Sequence, residues 1–447
     1  MKLFNTLALK FEHPDWSRNP EFGLIDTILE SYPHLIKLLE EDITKGMNNN
    51  SPFGRKDTPS VEQIVRAAIF KEMKGLDYRE LEYAQHDSRI CANFIKLDER
   101  KPFSFQMFQS HISKISAESL TKLLVEINKI AIEQGYENLV SLRQDSTVVE
   151  TNIHYPTNNS LVWDCIKTST NLLAALKKEI SHVEFRSYIK TAKTTYYKIN
   201  VTKSKDKRIG LFNKQLIIFT KVINQTSNII KKKPGYCLKT EAIYNKLEQL
   251  VGLMKQVYDM TFTKEILGEA VPNDQKLFSI YELHTDIIVK GSREVKFGHK
   301  VNLATGKSNL ILDCVTVKGN PKDTDLYQPT LDRILSNYKS VPRDMVTDGG
   351  YASKANLEYA QEMGIANVLF NKIVGSLKNA VSSLHMETRL TKWRSGMEAV
   401  ISNLKRGFGL RRCEWKGWEH FQAKVLWSSI AYNLRVLTKM TLERILA

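Results

Sequence analysis

The chain has 447 residues, a length that predicts two or three domains, and its 42% of hydrophobic residues excludes a disordered chain. Lysine and arginine outnumber aspartate and glutamate by 65 to 49, and the formal charge of +16 favours a polyanionic partner such as nucleic acid. No C-x-x-C pair, signal peptide or long apolar run is present, which argues against structural zinc, disulfides and membrane insertion and predicts a cytoplasmic protein.

Residues 1–137 are predicted to be helical. One helix begins at Ser60, which forms a capping-box pattern with Gln63, and a second covers residues 77–85. A third runs over residues 116–134 with leucine and isoleucine at helical spacing, and Gly135 ends it. Short helices with tight connections are typical of helix-turn-helix-like units, so we predict an N-terminal DNA-binding domain. A helical scaffold without DNA contacts is the alternative.

A predicted strand, residues 138–153, is followed by a predicted helical insertion, residues 154–277. The strand is rich in β-branched residues. In the insertion, 13 basic residues accompany a single acid, Asp206, between Arg186 and Lys233. Such a segment could line a phosphate backbone, or it could be a solvated helix face.

After residue 278, strand patterns alternate with helix patterns. Two β-rich runs, residues 295–303 and 309–317, predict a hairpin. The next predicted elements are a helix over 324–337 and a strand over 343–348 that ends at Asp348. They are followed by a helix over 353–362 and a strand over 365–370. Alternation of this kind predicts an α/β fold, a mixed sheet flanked by helices. We assign the sheet domain to residues 138–153 and 278–447, with the helical insertion between its two parts.

Acidic residues from separate predicted elements are candidates for a metal site. Asp145 lies within an apolar strand, where a carboxylate is costly unless a cation offsets its charge. Asp348 ends a strand and precedes two glycines, a usual place for a ligand-facing side chain, although turn residues and helix caps occur there as often. Asp313, in the middle of a predicted strand, is an alternative acid. Asp344 is a weaker alternative, because it begins the strand that Asp348 ends and therefore lies far from Asp348.

A third acid, Glu398, lies in a predicted helix over residues 393–412. Arg394, Glu398 and Lys405 are four and seven residues apart and therefore share a face distinct from the apolar stripe. That face could present an acid to a metal and two cations to phosphate, or it could be a surface with salt bridges. Two aromatic residues have a weaker functional signal. His299 is predicted to be a structural histidine in a strand. Trp163, at the start of the basic insertion, is a possible base-stacking residue.

The spacing of Arg394, Glu398 and Lys405 resembles the helix signature of insertion-sequence transposases. Four segments (142–164, 297–303, 346–353 and 401–434) are similar to the ISNCY-like group of DDE transposases. The chain departs from the signature at Thr391, where the family usually has tyrosine. The resemblance implies a ribonuclease-H-like catalytic core with an N-terminal helical domain and a helical insertion.

The resemblance also implies an active site and a function. Asp145, Asp348 and Glu398 would be the catalytic residues and the ligands of two Mg²⁺ or Mn²⁺ ions. Phosphate contacts are expected from five cations, Arg394, Lys405, Arg406, Arg411 and Arg412. The implied enzyme is a transposase that binds terminal inverted repeats and target DNA as a homodimer in a bacterial cytoplasm, and cleaves and joins DNA by two-metal phosphoryl transfer. A non-mobile nuclease of the same fold and a catalytically inactive DNA-binding relative are the alternatives.

Overall fold

The chain divides into two compact units. The computed structural model describes Trp16 and residues 19–46, 58–97, 101–233, 238–290, 294–373 and 375–447. The first unit comprises residues 1–152 and 288–447, and the second comprises Ile153–Ile287. Within the described ranges, no helix is both long enough and apolar enough to cross a bilayer.

The N-terminal part of the first unit is helical, as predicted. Its helices are α1 (Pro20–Ser31), α2 (His34–Lys37), α3 (Glu40–Thr44), α4 (Val61–Lys74), α5 (Tyr78–Asp87), α6 (Arg89–Phe94), α7 (Phe105–Ile112) and α8 (Ala117–Glu133). Ser60 and Gln63 form the predicted capping box on α4, and Gly135, with a φ of 74°, follows the end of α8. The three helices predicted from the sequence are therefore confirmed.

These helices share their hydrophobic core with the C-terminal helices α16 (Gly396–Gly407) and α17 (Trp418–Leu446). Phe22 packs on Phe70 and Phe94, with ring centroids 4.8 and 4.9 Å apart. The helix α4 is almost wholly buried because both its apolar face and charged residues such as Arg66 are covered. The predicted domain boundary at residue 137 and the DNA-binding role of the N-terminal helices stay predictions.

The sheet of the first unit is mixed and is flanked by helices. Its strands are β1 (Ser141–Thr151), β2 (Asp286–Lys290), β3 (Glu294–Thr305), β4 (Ile311–Val317), β5 (Asp344–Asp348), β6 (Asn367–Asn371) and β7 (Arg412–Cys413). In the described residues the order is β2-β3-β1-β5-β6, with β4 also paired to β3 and β7 to β1. The helices α13 (Thr324–Tyr338), α14 (Lys354–Glu362) and α15 (Leu384–Arg394) accompany the strands. This arrangement confirms the predicted α/β fold and is consistent with a ribonuclease-H-like core.

Strand pairing fixes the position of β1 within the sheet. It runs antiparallel to β3 and parallel to β5 and β7. The hairpin predicted from the sequence is confirmed, because β3 and β4 pair antiparallel. Central strands buried on both faces favour apolar side chains, as Met345 and Val346 in β5 illustrate.

The second unit is helical and has its own apolar cores. It contains α9 (Asn158–Glu179), α10 (Ile189–Val201), α11 (Lys205–Lys231) and α12 (Leu238–Thr261). Buried residues such as Ile166, Phe219 and Met254 form the larger core. The predicted insertion lies within this unit. Of the basic residues between Arg186 and Lys233, all except Lys233 are exposed, so the positive charge of this segment faces solvent.

Candidate active site

Two of the candidate acids lie side by side in the sheet. The parallel pairing of β1 with β5 extends to Gln144 opposite Thr347, and Asp145 and Asp348 are the next residue on each strand. The sheet therefore brings together two acids that are about 200 residues apart along the chain, as the register of a parallel pair requires. The side chain of Asp145 is 18% exposed and that of Asp348 is 46% exposed.

The third acid reaches the same place through the junction of α15 and α16. Arg394 is the last residue of α15, and its Nη2 lies 3.1 Å from Asp145 Oδ2 and 3.5 Å from Asp348 Oδ1. Its Nη1 lies 3.5 Å from Glu398 Oε1. All three candidate carboxylates thus surround one guanidinium, although Glu398 itself is 71% exposed. We call Asp145, Asp348 and Glu398 the acid cluster.

The predicted single helix over residues 393–412 is wrong in its boundaries. The chain turns at Ser395, so Arg394 is the last residue of α15. Of the predicted site residues, Glu398, Lys405 and Arg406 lie on α16. Arg394 and Glu398 nevertheless meet, because the turn is tight enough to preserve their contact. Arg394 is nearly buried among acids, whereas the prediction had it beside phosphate.

The other predicted phosphate ligands lie on α16 and beyond it. Lys405 is half-buried, and Arg406 and Arg411 are exposed. Arg412 lies in the short strand β7, which the sequence did not predict, and its Nη2 is 3.3 Å from Glu150 Oε2 at the surface. A phosphate role for these cations stays a prediction.

Trp163 lies in the second unit and is half-buried on α9. Its ring stacks on Tyr196, with centroids 5.9 Å apart, and it packs against the apolar core of that unit. The contacts that the structure describes are those of a packing residue. Base stacking by Trp163 stays a prediction.

The rival acids have structural partners elsewhere. Asp313 forms a two-point ion pair with Arg333, at 2.9 and 2.7 Å. Asp344 is fully buried; burial alone would raise its pKa, but hydrogen bonds from Arg343, Asn367 and Ser141 hold the pKa below its ordinary value. Both carboxylates are thus held in ion pairs and hydrogen bonds of the fold.

His299 is fully buried in β3, as predicted for a structural histidine. Its ring meets the edges of Trp418 and Phe421, with centroids 4.7 and 5.0 Å away. A ring enclosed in this way contributes to packing at the start of α17.

Tyr351 lies three residues after Asp348, and the pKa of its hydroxyl is affected by the negative charges nearby. Its hydroxyl donates to Asn302 Oδ1 at 2.9 Å. Burial raises its pKa well above the ordinary value, and the nearby charges of Asp323, Asp145 and Asp348 raise it further. The phenol therefore stays neutral, and its proton is donated to Asn302, the residue paired with Ser146 on the neighbouring strand.

A fourth acid, Asp323, lies at the start of α13 and was missed by the sequence analysis. Its Oδ1 accepts hydrogen bonds from Lys300 Nζ and from Ser146 Oγ, both at 3.0 Å. Ser146 follows Asp145 on β1, and neighbouring strand residues point to opposite faces, so Asp323 supports β1 from the other side of the sheet. The only sequence signal was Lys300, a lysine within an apolar strand, which implies a buried counter-charge.

The chemistry of the acid cluster fits divalent metal ions, but its present arrangement fits a guanidinium. Carboxylate oxygens are the ligands that Mg²⁺ prefers. Among the described residues, however, no group of three His, Cys, Asp or Glu side chains is close enough to hold a metal ion. The guanidinium of Arg394 separates the acids, and its Nε is buried with no hydrogen-bond partner in the described part of the chain. The guanidinium of Arg394 thus lies where a metal ion would bind, and its Nε lacks a hydrogen-bond acceptor among the described residues.

Comparison with known proteins agrees with the predicted resemblance. Residues 285–434 match the family described as the transposase DDE domain. The match includes Asp348 and Glu398, whereas Asp145 lies before it. No curated protein and no solved structure matches the chain.

Proposed function

We propose, on the premise that residues 285–434 carry a transposase DDE domain, that the chain is a transposase that cuts and joins DNA at the ends of an insertion sequence. The observation that carries this proposal is the convergence of Asp145, Asp348 and Glu398 on one cationic group. Acids gathered from three elements of a fold have little structural use, because their mutual repulsion costs stability unless a cation is bound.

In this proposal the acid cluster holds two Mg²⁺ or Mn²⁺ ions. When bound, such ions activate a water or a DNA 3′-hydroxyl and stabilise the leaving oxygen. The carboxylates can accept these ions only when the guanidinium of Arg394 leaves its place between them, because like charges repel at such distances. Arg394 is then free to contact a phosphate near the scissile bond, which guanidinium geometry suits.

The remaining parts of the chain are proposed to hold the DNA. The N-terminal helices, residues 1–137, would recognise the terminal inverted repeats, and the exposed cations of the helical insertion would contact the phosphate backbone. Lys405, Arg406, Arg411 and Arg412 would bind phosphates near the reaction. Two protomers would pair two DNA ends, acting in the cytoplasm on chromosomal DNA.

The test is a cleavage and strand-transfer assay with Mg²⁺ on DNA that carries the inverted repeats flanking the reading frame. We expect the wild-type chain to cut at the repeat ends and join them to target DNA. Asp145→Ala should abolish both steps and leave end binding nearly intact. The matched control is Glu358→Gln, which alters an exposed acid on α14 whose side chain is 54% exposed.

Each alternative has its own outcome in this assay. Cleavage without joining would identify a non-mobile nuclease of the same fold. Specific end binding without cleavage by the wild-type chain would identify a catalytically inactive DNA-binding relative. Either result overturns the transposase proposal.

A further inference from the structure

A buried arginine, Arg143, lies two residues before Asp145 on β1. Residues at positions i and i+2 of a strand point to the same face, so its side chain is on the side of the sheet that carries the acid cluster. Arg143 is only 1% exposed and is among the largest fully buried side chains. Burying a charged group is costly unless its donors are satisfied.

Arg143 donates hydrogen bonds to neutral oxygens of two segments, the β3–β4 hairpin and the end of α15. Nε donates to Thr305 Oγ1 at 2.9 Å, and Nη1 donates to the carbonyl oxygen of Trp393 at 2.7 Å. Nη2 donates to Asn309 Oδ1. The guanidinium also lies over the ring of Trp393, 4.9 Å from its centroid. A planar fork with fixed donor directions can hold both segments in one geometry, which a lysine cannot do.

Two of these contacts reach the junction of α15 and α16. Trp393 is the residue before Arg394, so the bond to its carbonyl fixes the end of α15. Thr305, which accepts from Arg143, in turn donates to Met397 Sδ at 3.5 Å, and Met397 precedes Glu398. The junction is therefore tied to β1 on both sides of its turn.

The glycine at the start of α16 leaves room for this arrangement. A Cβ at Gly396 would lie against Nη1 of Arg143 at a distance that no real contact allows, and it would also press on Cζ at 3.2 Å. The φ of Gly396 is not positive, so a side chain there conflicts with the guanidinium of Arg143 and not with the backbone conformation. The close approach of the guanidinium to the backbone explains why a residue without a side chain stands between Ser395 and Met397.

We propose that Arg143 is a positioning residue, which fixes the α15–α16 junction, with Arg394 and Glu398, against the strand that carries Asp145. The inference rests on the proposed function of the acid cluster and adds the element that sets its geometry. A displacement of about 1 Å at a reacting centre can lower a rate by about 10²-fold. A residue that sets the spacing of the acids should therefore affect the rate of cleavage far more than DNA binding.

The test combines kinetics with hydrogen exchange. Arg143→Met keeps a stem of similar length and removes the donors. We expect it to lower kcat for DNA cleavage by about 10²-fold with KM for DNA nearly unchanged. Amide exchange should rise at residues 394–398 while residues 344–347 of β5 stay protected. Arg143→Lys should recover only part of the rate, because an ammonium cannot replace the fork.

Gly396→Ala is the second variant, because it displaces the guanidinium without removing it, and we expect the same local rise in exchange. The matched control is Arg333→Lys, which alters another arginine of the first unit, in a two-point ion pair with Asp313. It should lower thermal stability without changing exchange at residues 394–398 or kcat.

The outcomes separate this inference from the proposed function. Unchanged exchange at the junction in Arg143→Met, or a rise spread over the whole sheet, overturns the positioning role. A wild-type chain that cleaves no DNA overturns the proposed function, and the exchange measurement still decides whether Arg143 fixes the junction.

Discussion

Arg394 Nη2 lies 3.1 Å from Asp145 Oδ2, although the two residues are 249 positions apart in the chain. The same guanidinium also contacts Asp348 and Glu398 at 3.5 Å. A single cation therefore balances three carboxylates, and any other cation that binds there has to compete with it.

Replacing Arg394 should make the stability of the chain depend on divalent metal. In Arg394→Gln the three carboxylates lose their shared counter-ion and repel one another. With two of them well exposed, we expect a loss of about 1 kcal/mol in metal-free buffer. Added Mg²⁺ should restore the melting temperature of the variant and raise that of the wild type less. Thermal unfolding with and without Mg²⁺ measures both effects.

The matched control is Arg389→Gln, on the same helix, whose side chain is 53% exposed. It should behave as the wild type does. Equal stabilisation of Arg394→Gln and wild type by Mg²⁺ would show that Arg394 does not compete with the metal.

Many of the helices and strands could be predicted because they have a local pattern. The capping box at Ser60, the β-branched run of β1 and the hairpin of β3 and β4 all lie where the sequence indicates. Only the resemblance to a family joined Asp145 to Asp348, because Asp145 lies within β1 and local patterns do not show which strands are neighbours. The turn at Ser395 could not be predicted, because the apolar stripe continues across it.

The contacts around the acids could not be predicted for a different reason. The bonds of Arg143 to Thr305, Asn309 and Trp393 join segments 162 to 250 residues away. The pairing of Asp323 with Lys300 and Ser146 likewise depends on tertiary structure. Local spacing carries no information on such distant partners, so these contacts could not be predicted from the sequence.

The pairing of β3 with β1 should depend on the absence of a side chain at Gly298. Gly298 faces Glu150 across the pair, and a Cβ there would lie 2.7 Å from Glu150 Cα and collide with the carbonyl oxygen of Val149. Backbone atoms within a sheet cannot move aside, so Gly298→Ala should destabilise the first unit by roughly 1–3 kcal/mol. Urea unfolding measures the change.

Gly252→Ala in α12 is the control, because nothing lies within 4 Å of a Cβ at that position. Alanine is the better helix former, so this variant should gain about 0.5–1 kcal/mol. A Gly298→Ala chain as stable as the wild type would contradict the close packing of β3 on β1.

The buried carboxylate of Glu72 should make stability fall in acid. Burial alone would raise its pKa, but the ammonium groups of Lys424 and Lys71 outweigh that effect and hold the pKa below its ordinary value of 4.5. A group whose folded pKa is depressed contributes stability that is complete above 4.5 and is lost as pH falls through the folded value. Glu72→Gln should therefore cost about 3 kcal/mol at pH 7, because two lysines lose their partner.

The difference between wild type and Glu72→Gln should shrink below pH 4.5, where the wild-type carboxyl takes up its proton. Urea unfolding at neutral and acidic pH checks this, with the exposed Glu358→Gln as the control. A difference that stays constant with pH would mean that Glu72 contributes through packing, and its charge would then be irrelevant.

The exposed arginines after the acid cluster should set the salt dependence of DNA binding. Arg406, Arg411 and Arg412 all face solvent, and the side chain of Arg412 makes a surface contact of 3.3 Å with Glu150. Each phosphate contact that is lost lowers the slope of log K against log salt by about 0.9. The triple alanine variant should therefore bind repeat-end DNA more weakly, with a slope reduced by about 2.7.

Lys354→Ala removes a cation that is 83% exposed on α14 and should leave the slope unchanged. Equal slopes for the triple variant and the wild type would exclude these arginines from the DNA interface, since counterion release requires their direct contact with phosphate.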